Sequence, residues 1–529
     1  MDTRWFLTGE ERGNPDARID RRRGDGRAWT EGNAVTPLVH GAAYFEHLYR
    51  EIRSLRRGDH VWFSDWRGDA DERLAGPHTE IGAVLADAVR RGVDVRGLVW
   101  RSHPDEGKFS EEENAQLAKV VNDAGGEVLL DERVRRFGSH HQKLVLIHRR
   151  RGEVAFVGGI DLCHGRRDDA THAGDPQAID IDERYGPRPA WHDVQLEVRG
   201  PAVGDLAETF RERWTDPTPL DHRNPVRARM RRLVREPRRA SRLPPSPPDP
   251  GPAGDLAVQV LRTYPAKRPA YPFAPNGERS VARAYRKAIG RARSLVYLED
   301  QYLWSAEIAG ILAGALRRAP DLRLIAVVPR FPDRDGVVSG PLNRIGQEEA
   351  MAEVFEAGGD RVAVYDLENA WGRPIYVHAK VCIVNDVWMS VGSDNLNRRS
   401  WTHDSEVSCA LLDPRLDGRP PADPGGLGDG ARVLPRRLRL ELWHEHLGPD
   451  VAEVELLDPA TGFEAWRRRA AALDAWHDRG RRGPRPAGHL RRHVPPPVRA
   501  WARWWAKPMY LLGVDPDGRP RALKRAHRF

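Results

Sequence analysis

One order of apolar runs, helix-like stretches and turns occurs twice along this 529-residue chain. The run 60–64 followed by Asp65-Trp66 matches the run 294–298 followed by Glu299-Asp300-Gln301-Tyr302. Residues 93–100 then match 322–329, and 126–131 match 360–366. Next come His141-Gln-Lys143-Leu-Val-Leu-Ile and His378-Ala-Lys380-Val-Cys-Ile-Val, followed by 154–161 and 387–395. Trp191-His-Asp193-Val then corresponds to His403-Asp404-Ser-Glu406, and the helix-like segment 203–214 to 434–446. A duplicated order of patterns buries duplicated faces, so it forces two like units. Within each copy, short β-branched runs alternate with amphipathic stretches such as 44–55, 281–292 and 308–318, which is the alternation of α/β units.

Between the copies, the stretch 235–255 contains Pro-Pro-Ser-Pro-Pro-Asp-Pro-Gly-Pro, which supports neither a helix nor a sheet ladder and reads as a stiff exposed linker. The expected organisation is therefore a first α/β domain over 1–235, a Pro-rich linker over 236–255, a second α/β domain over 256–450 and a basic, Trp-rich extension over 451–529. Two Gly/Pro/Asp-rich stretches, 166–190 and 417–432, read as long loops. The first directly precedes a repeated motif and so borders a site.

Charge separates the body from its end. The net charge is +8, but residues 481–529 hold thirteen Lys or Arg against Asp515 and Asp517, which leaves the rest of the chain net negative. A general attraction to polyanions therefore belongs to the end of the chain, and the body binds through a site. No run approaches the roughly 20 apolar residues of a membrane span, and residues 1–30 do not have the form of a secretory signal. The three cysteines, Cys163, Cys382 and Cys409, show no CxxC spacing, so neither a disulfide framework nor a cysteine zinc site is expected. These features fit the cytoplasm.

With 20 His and only eight Lys, His-x-Lys would arise less than once by chance, yet it opens an apolar strand in each copy. The matched turns Gly158-Gly159-Ile-Asp161 and Gly392-Ser393-Asp-Asn395 follow, the first after a longer loop through 149–152. Residues i and i+2 of a strand share a face, so each imidazole and its ammonium point into one space. Two such pairs meeting about a pseudo-twofold axis suit a phosphodiester. One His attacks phosphorus, the other protonates the leaving oxygen, and Lys143 and Lys380 stabilise the added charge. No metal or cofactor is required. A carboxylate is needed to orient each imidazole, and Asp193 and Glu406 occupy equivalent positions for this, with Asp404 as a second candidate in the later copy. Gly159, Asp161, Ser393 and Asn395 are the candidates to hydrogen-bond phosphate oxygens.

On these residues the chain resembles the phospholipase D superfamily, whose signature is a duplicated His-x-Lys-x4-Asp followed by Gly-Gly or Gly-Ser-x-x-Asn. The resemblance spans about 38–450 and includes Gly41-Ala-Ala-Tyr-Phe, Phe63-Ser-Asp65-Trp66, Glu299-Asp-Gln-Tyr302 and Trp443-His-Glu-His-Leu-Gly448. It implies two similar phospholipase D-type α/β domains, each a mixed sheet flanked by helices, fused in one chain with a single active site at their pseudo-twofold interface. It also implies a phosphohistidine intermediate resolved by water or alcohol, with Gln301 among the substrate-binding residues, His141 as nucleophile and His378 as general acid and then base. Where the signature has Asp, this chain has His148 and Asn385. Seven residues from the His is an odd step, so these positions face away from the site and have a structural role, with Asp386 able to substitute after a one-residue shift. By the same alternation His140 faces away.

The expected reaction is cleavage of a glycerophospholipid headgroup phosphodiester. The alternatives are cardiolipin-synthase-like phosphatidyl transfer, a phosphodiester nuclease and a non-catalytic lipid-binding relative. A nuclease calls for a basic groove that the net-negative body does not offer. The expected partners are a phospholipid and a water or alcohol acceptor, with no nucleic acid, and the chain is expected to be a monomer. Trp501, Trp504, Trp505, Met509, Tyr510, Leu511 and Leu512 lie among Arg503 and Lys507. They read either as a peripheral contact with the inner membrane surface or as an ordinary docked helix.

Overall fold

The computed structural model describes residues 4–102, 111–149, 152–220, 237–333 and 339–529. Eighteen strands form among them: β1 (Thr30–Val39), β2 (His60–Asp65), β3 (Asp94–Trp100), β4 (Glu127–Asp131), β5 (Leu144–His148), β6 (Val154–Gly158), β7 (Ala190–His192), β8 (Val194–Arg199) and β9 (Leu256–Tyr264) come first. They are followed by β10 (Glu278–Arg279), β11 (Leu295–Asp300), β12 (Arg323–Val327), β13 (Val362–Glu368), β14 (Pro374–Val377), β15 (Lys380–Val384), β16 (Trp388–Gly392), β17 (Glu406–Leu412) and β18 (Leu490–Arg492).

Hydrogen bonding orders one copy as β4-β3-β2-β5-β6-β8-β1 and the other as β13-β12-β11-β15-β16-β17-β9. In each, the first three strands run parallel and the rest antiparallel, so the duplication seen in the sequence is a duplication of topology. The edge strands β1 and β9 meet at Thr30–Val258 and Asn33–Leu256, joining the two sheets. The motif-bearing strands β5 and β15 are buried along their whole length, which is why both read as unbroken Val/Ile/Leu runs.

Helices cover both faces of the sheets. Gly41–Arg53 buries Tyr44, Phe45, Leu48 and Ile52, a spacing of three and four residues that puts one stripe against the outer face of the first sheet. Ala202–Trp214 and Val433–Leu447 lie inside, in a central core that joins Trp62, Leu144 and Leu196 of one copy to Val381, Val391 and Trp443 of the other. The two copies therefore share one core.

The packing departs from the expected boundaries at three places. Trp5, Phe6, Leu7, Ala28 and Trp29 pack into the outer core of the second copy with Val281, Tyr285 and Trp401, although they precede the first. The extension after 450 is no appendage either. β18 pairs with β13, and Trp466 of the helix Pro459–Asp478 is buried in the central core. Among its described residues the Pro-rich stretch forms no helix or ladder, as its composition dictates, but it does not hang free: Trp214 donates to Ser241 O at 2.8 Å and Arg211 to Pro244 O at 2.7 Å. Residues 221–236, which end the expected first domain and include the start of that linker, and Arg150 and Arg151 of the longer turn lie outside the described residues.

Candidate active site

Both His-x-Lys motifs open onto one cavity of about 670 Å³, lined by His141 and His378 together with Asp161, Asn395 and Gln301. Each His sits immediately before its strand, held by the other copy. His141 N donates to Ser405 O at 3.0 Å, and His378 N to His192 O at 2.8 Å. β14, which leads into His378, runs parallel to β7, with Tyr376 opposite Trp191 and Val377 opposite His192. This exchange has a chemical consequence. His141 Nδ1 lies 2.9 Å from Glu406 Oε2, and His378 Nδ1 lies 2.7 Å from Asp193 Oδ2, so each imidazole is oriented by a carboxylate of the opposite copy. With Nδ1–H donating to a carboxylate, Nε2 is the ring nitrogen left for substrate.

The residues of the following turns divide by function. Ser393 Oγ donates to Glu406 Oε2 at 2.5 Å and accepts from Val407 N at 3.0 Å, so it positions the carboxylate from behind. Gly159 does the same by being small: a Cβ there would stand 2.1 Å from Asp193 Oδ1. Asp161 and Asn395, equivalent in the two copies, line the cavity itself. Asp161 forms an ion pair with Lys143 at 3.0 Å, whereas the Asn395 side-chain oxygen has no hydrogen-bond partner among the described residues. Gln301 donates to Tyr376 OH at 2.7 Å. Asp404 is not a His partner: it accepts from Ser139 N at 2.8 Å and pairs with Arg399 at 2.6 Å, bracing the crossing ahead of His141.

Electrostatics differ between the copies. Burial, reinforced by Lys380 and Arg166, holds His378 well below the ordinary imidazole range. Burial also lowers Lys380 to about 8, against the opposing pull of Asp193 and Asp300. Burial pushes Asp300 up to about 8 and raises Asp193, even with Lys380 close to both. For Asp161 burial acts upward too, but Lys143 and Arg166 outweigh it and hold the carboxylate low. Both ammonium groups also donate to the backbone oxygen of their own His, which ties each to its motif.

The signature's missing aspartates are remote from the cavity, as alternation requires. His148 stands 3.2 Å from Glu153 with its ring 5.0 Å from Trp62. Asn385 and Asp386 form the β15–β16 turn, both with positive φ (53° and 57°). Asn385 Oδ1 accepts from Arg293 N at 3.0 Å. Asp386 is buried between Arg436 and Arg439, at 2.9 and 2.6 Å. His140 is also buried on the far face, near Arg213 and Asp131, where burial holds it well below the usual imidazole range.

Sequence reasoning missed the aromatic and cationic walls. Trp191 stacks on Tyr376 with centroids 4.7 Å apart and lies 5.1 Å from His378, and Trp66 stands edge-on to His141 at 6.3 Å. The Arg166 guanidinium lies 4.0 Å over Trp191 and within 3.4 Å of Asp161. Trp66 and Trp191 occur inside the repeated motifs, which was a usable signal. Arg166 opens the long loop expected to border a site, and that loop does line the cavity through Ile179, Asp180 and Ile181.

A family model described as phospholipase D matches residues 71–240 and 357–491, and one described as cardiolipin synthase, PLD-like domain, matches 285–417. Phospholipase D alpha 2 of Arabidopsis thaliana is 26% identical over 81% of this chain and 67% of its own length. Phospholipase D alpha 1 of Cynara cardunculus is 25% identical over 72% of this chain and 60% of its own length. The chain thus spans about three fifths to two thirds of these relatives. Among solved structures, phosphatidylserine synthase of Haemophilus influenzae Rd KW20 aligns at 15% identity with a TM-score of 0.48, over 72% of this chain and 82% of that one.

Proposed function

The chain belongs to the phospholipase D superfamily, and from that premise we propose that it transfers the phosphatidyl group of a glycerophospholipid from its headgroup to water or an alcohol. The observation that carries this reading is that His141 and His378 line one cavity, each held by a carboxylate of the opposite copy, Glu406 and Asp193, with Lys143 and Lys380 buried beside them. His141 Nε2 attacks phosphorus. The P–O bond to the headgroup breaks, and the departing oxygen takes a proton from His378. His378, neutral in the free protein, gains that proton when the phosphodiester anion enters beside it. Water or alcohol then delivers its proton to His378 while its oxygen displaces His141 from phosphorus. Lys143, Lys380 and Arg166 stabilise the charge of both transition states, and Asn395 offers its side chain to a phosphate oxygen.

Glu112, Glu113, Asp180 and Asp333 also line the cavity. Carboxylates in the wall disfavour a polyanionic nucleic acid and suit a cationic headgroup, which supports lipid over nuclease chemistry. The named activity of the curated relatives points the same way.

The test is mass spectrometry of products from phosphatidylcholine vesicles with ethanol present, comparing the native protein with His141→Asn. Phosphatidic acid and phosphatidylethanol from the native protein alone are expected. Absence of both from the folded native protein rejects the lipid reading, and phosphatidic acid without phosphatidylethanol restricts the acceptor to water.

A further inference from the structure

Outside the cavity, four side chains from four separate segments converge on one point. His40 comes from the turn between β1 and the helix Gly41–Arg53, His172 from the loop 166–190, His192 from β7, and Glu445 from the helix Val433–Leu447. One ligand atom from each lies within 4.8 Å of all the others. His40 Nε2 is 2.9 Å from Glu445 Oε2, while His172 Nε2 and His192 Nδ1 are 3.2 and 3.3 Å from Glu445 Oε1. The three rings stand 5.0 to 5.9 Å apart at steep angles, so they radiate from a common centre and do not stack.

We infer that His40, His172, His192 and Glu445 hold one divalent ion of the zinc type, as a structural site that clamps the two copies together. A tetrahedron with bonds of about 2.0–2.1 Å has edges of roughly 3.3 Å, and the three imidazole–carboxylate separations of 2.9, 3.2 and 3.3 Å are close to that. Three imidazoles with a single carboxylate suit zinc and its neighbours and not Ca²⁺ or Mg²⁺, which need more oxygen. His192 is fully buried, and its Nδ1 is aimed into the cluster at Glu445. Behind it, Nε2 reaches Glu299 Oε2 at 2.8 Å, and Glu299 is held in turn by His446 at 2.7 Å, a carboxylate backing for a ligating imidazole. Both His40 and His172 adopt left-handed backbone conformations, with φ of 69° and 51°, which non-glycine residues keep only where surrounding structure enforces them.

The site would act on the reaction by position alone. The His192 carbonyl accepts from His378 N and Ala379 N, and the next residue, Asp193, orients the His378 ring. An ion at His192 therefore stiffens the support of one imidazole without touching substrate.

The test is metal content of the full chain expressed with zinc supplied and dialysed against a weak chelator. One zinc-class ion per chain is expected in the native protein and in His148→Ala, and none in His172→Ala. Native protein that retains no metal, and whose melting temperature does not rise on adding Zn²⁺, overturns the inference and leaves a protonated His192 bridging Glu299 and Glu445. Should His172→Ala fail to fold, Co²⁺ added to chelator-stripped native protein decides. The strong visible absorption of a tetrahedral site supports the inference, and the weak spectrum of a hydrated ion overturns it.

Discussion

In the proposed reaction Lys380 stabilises charge on a shifted titration. Its ammonium loses its proton near 8, so the charge available to a phosphorane falls as pH rises through that value. The rate, kcat/KM, should therefore decline above about pH 8. This decline is not unfolding, and the sign shows why. Lys380 binds fewer protons in the folded than in the unfolded protein between about 8 and the ordinary 10.5, so its own contribution to stability rises across that window. Because the Asp300 carboxylate raises the Lys380 value, Asp300→Asn should move the alkaline limb to lower pH. A limb that stays in place assigns it to another group. The crossed carboxylates make a second prediction at this scale. Glu406→Gln should slow labelling of His141 in a trapped phosphoenzyme by about 10²–10⁴-fold, while Asp193→Asn acts on the proton transfers of His378. Label on His378 instead of His141 reverses the assignment of the two rings.

At the scale of elements, the hairpin β15–β16 and the helix Val433–Leu447 are joined through Asp386. It accepts from Arg436 and Arg439, and all three side chains are fully buried. Removing the carboxylate leaves two guanidinium groups without their shared anion. Asp386→Ala is expected to destabilise the protein by about 3–5 kcal/mol in urea unfolding. A loss below about 1 kcal/mol would show that the arginines find other partners. The same geometry explains why the aspartates of the family signature can be replaced here. Position 385 closes a turn, position 148 packs beside Trp62, and neither faces the cavity.

Across the whole molecule, much of the basic charge after residue 480 is spent internally: Arg491 pairs with Asp474, Lys507 with Glu349 and Arg519 with Glu307. Charge alone therefore gives little pull toward a polyanion. The helix Ala500–Met509 docks through Ala502, Ala506 and Tyr510 beside Trp304 and Ile345, while Trp501 and Trp504 remain 65% and 87% exposed and Leu512 74%. That surface adjoins the cavity, because Arg399, which lines it, donates to Val514 O at 3.1 Å. Contact with lipid is proposed at this face because its indole and leucine side chains are exposed; among the described residues no helix is long and apolar enough to cross a membrane. Trp501→Ser with Trp504→Ser should weaken sedimentation with anionic vesicles by at least about tenfold while sparing turnover of a soluble short-chain substrate. Unchanged sedimentation removes the surface from consideration. Truncation is the wrong experiment, since it would strip β18 from the sheet.

Local periodicity determined the duplication, the α/β alternation and the apolar strands that follow both motifs, because strand and helix repeats are properties of neighbouring residues; the His-x-Lys triplets themselves lie at the approach to those strands. It also supplied His141, Lys143, His378, Lys380, Asp193 and Glu406 as one chemical set. Only the tertiary structure decided which carboxylate serves which imidazole. Glu406 stands 265 positions from His141, and Asp193 stands 185 from His378. No pattern along the chain encodes a pairing that arises from β14 running beside β7 and from His141 running beside Ser405. The packing of Trp5 and Trp29 on the second copy, the hydrogen bond from Ser139 N to Asp404, and the convergence of His40, His172, His192 and Glu445 have the same origin. Each is set by how two folded copies close on one another, and sequence distance carries no information about that contact.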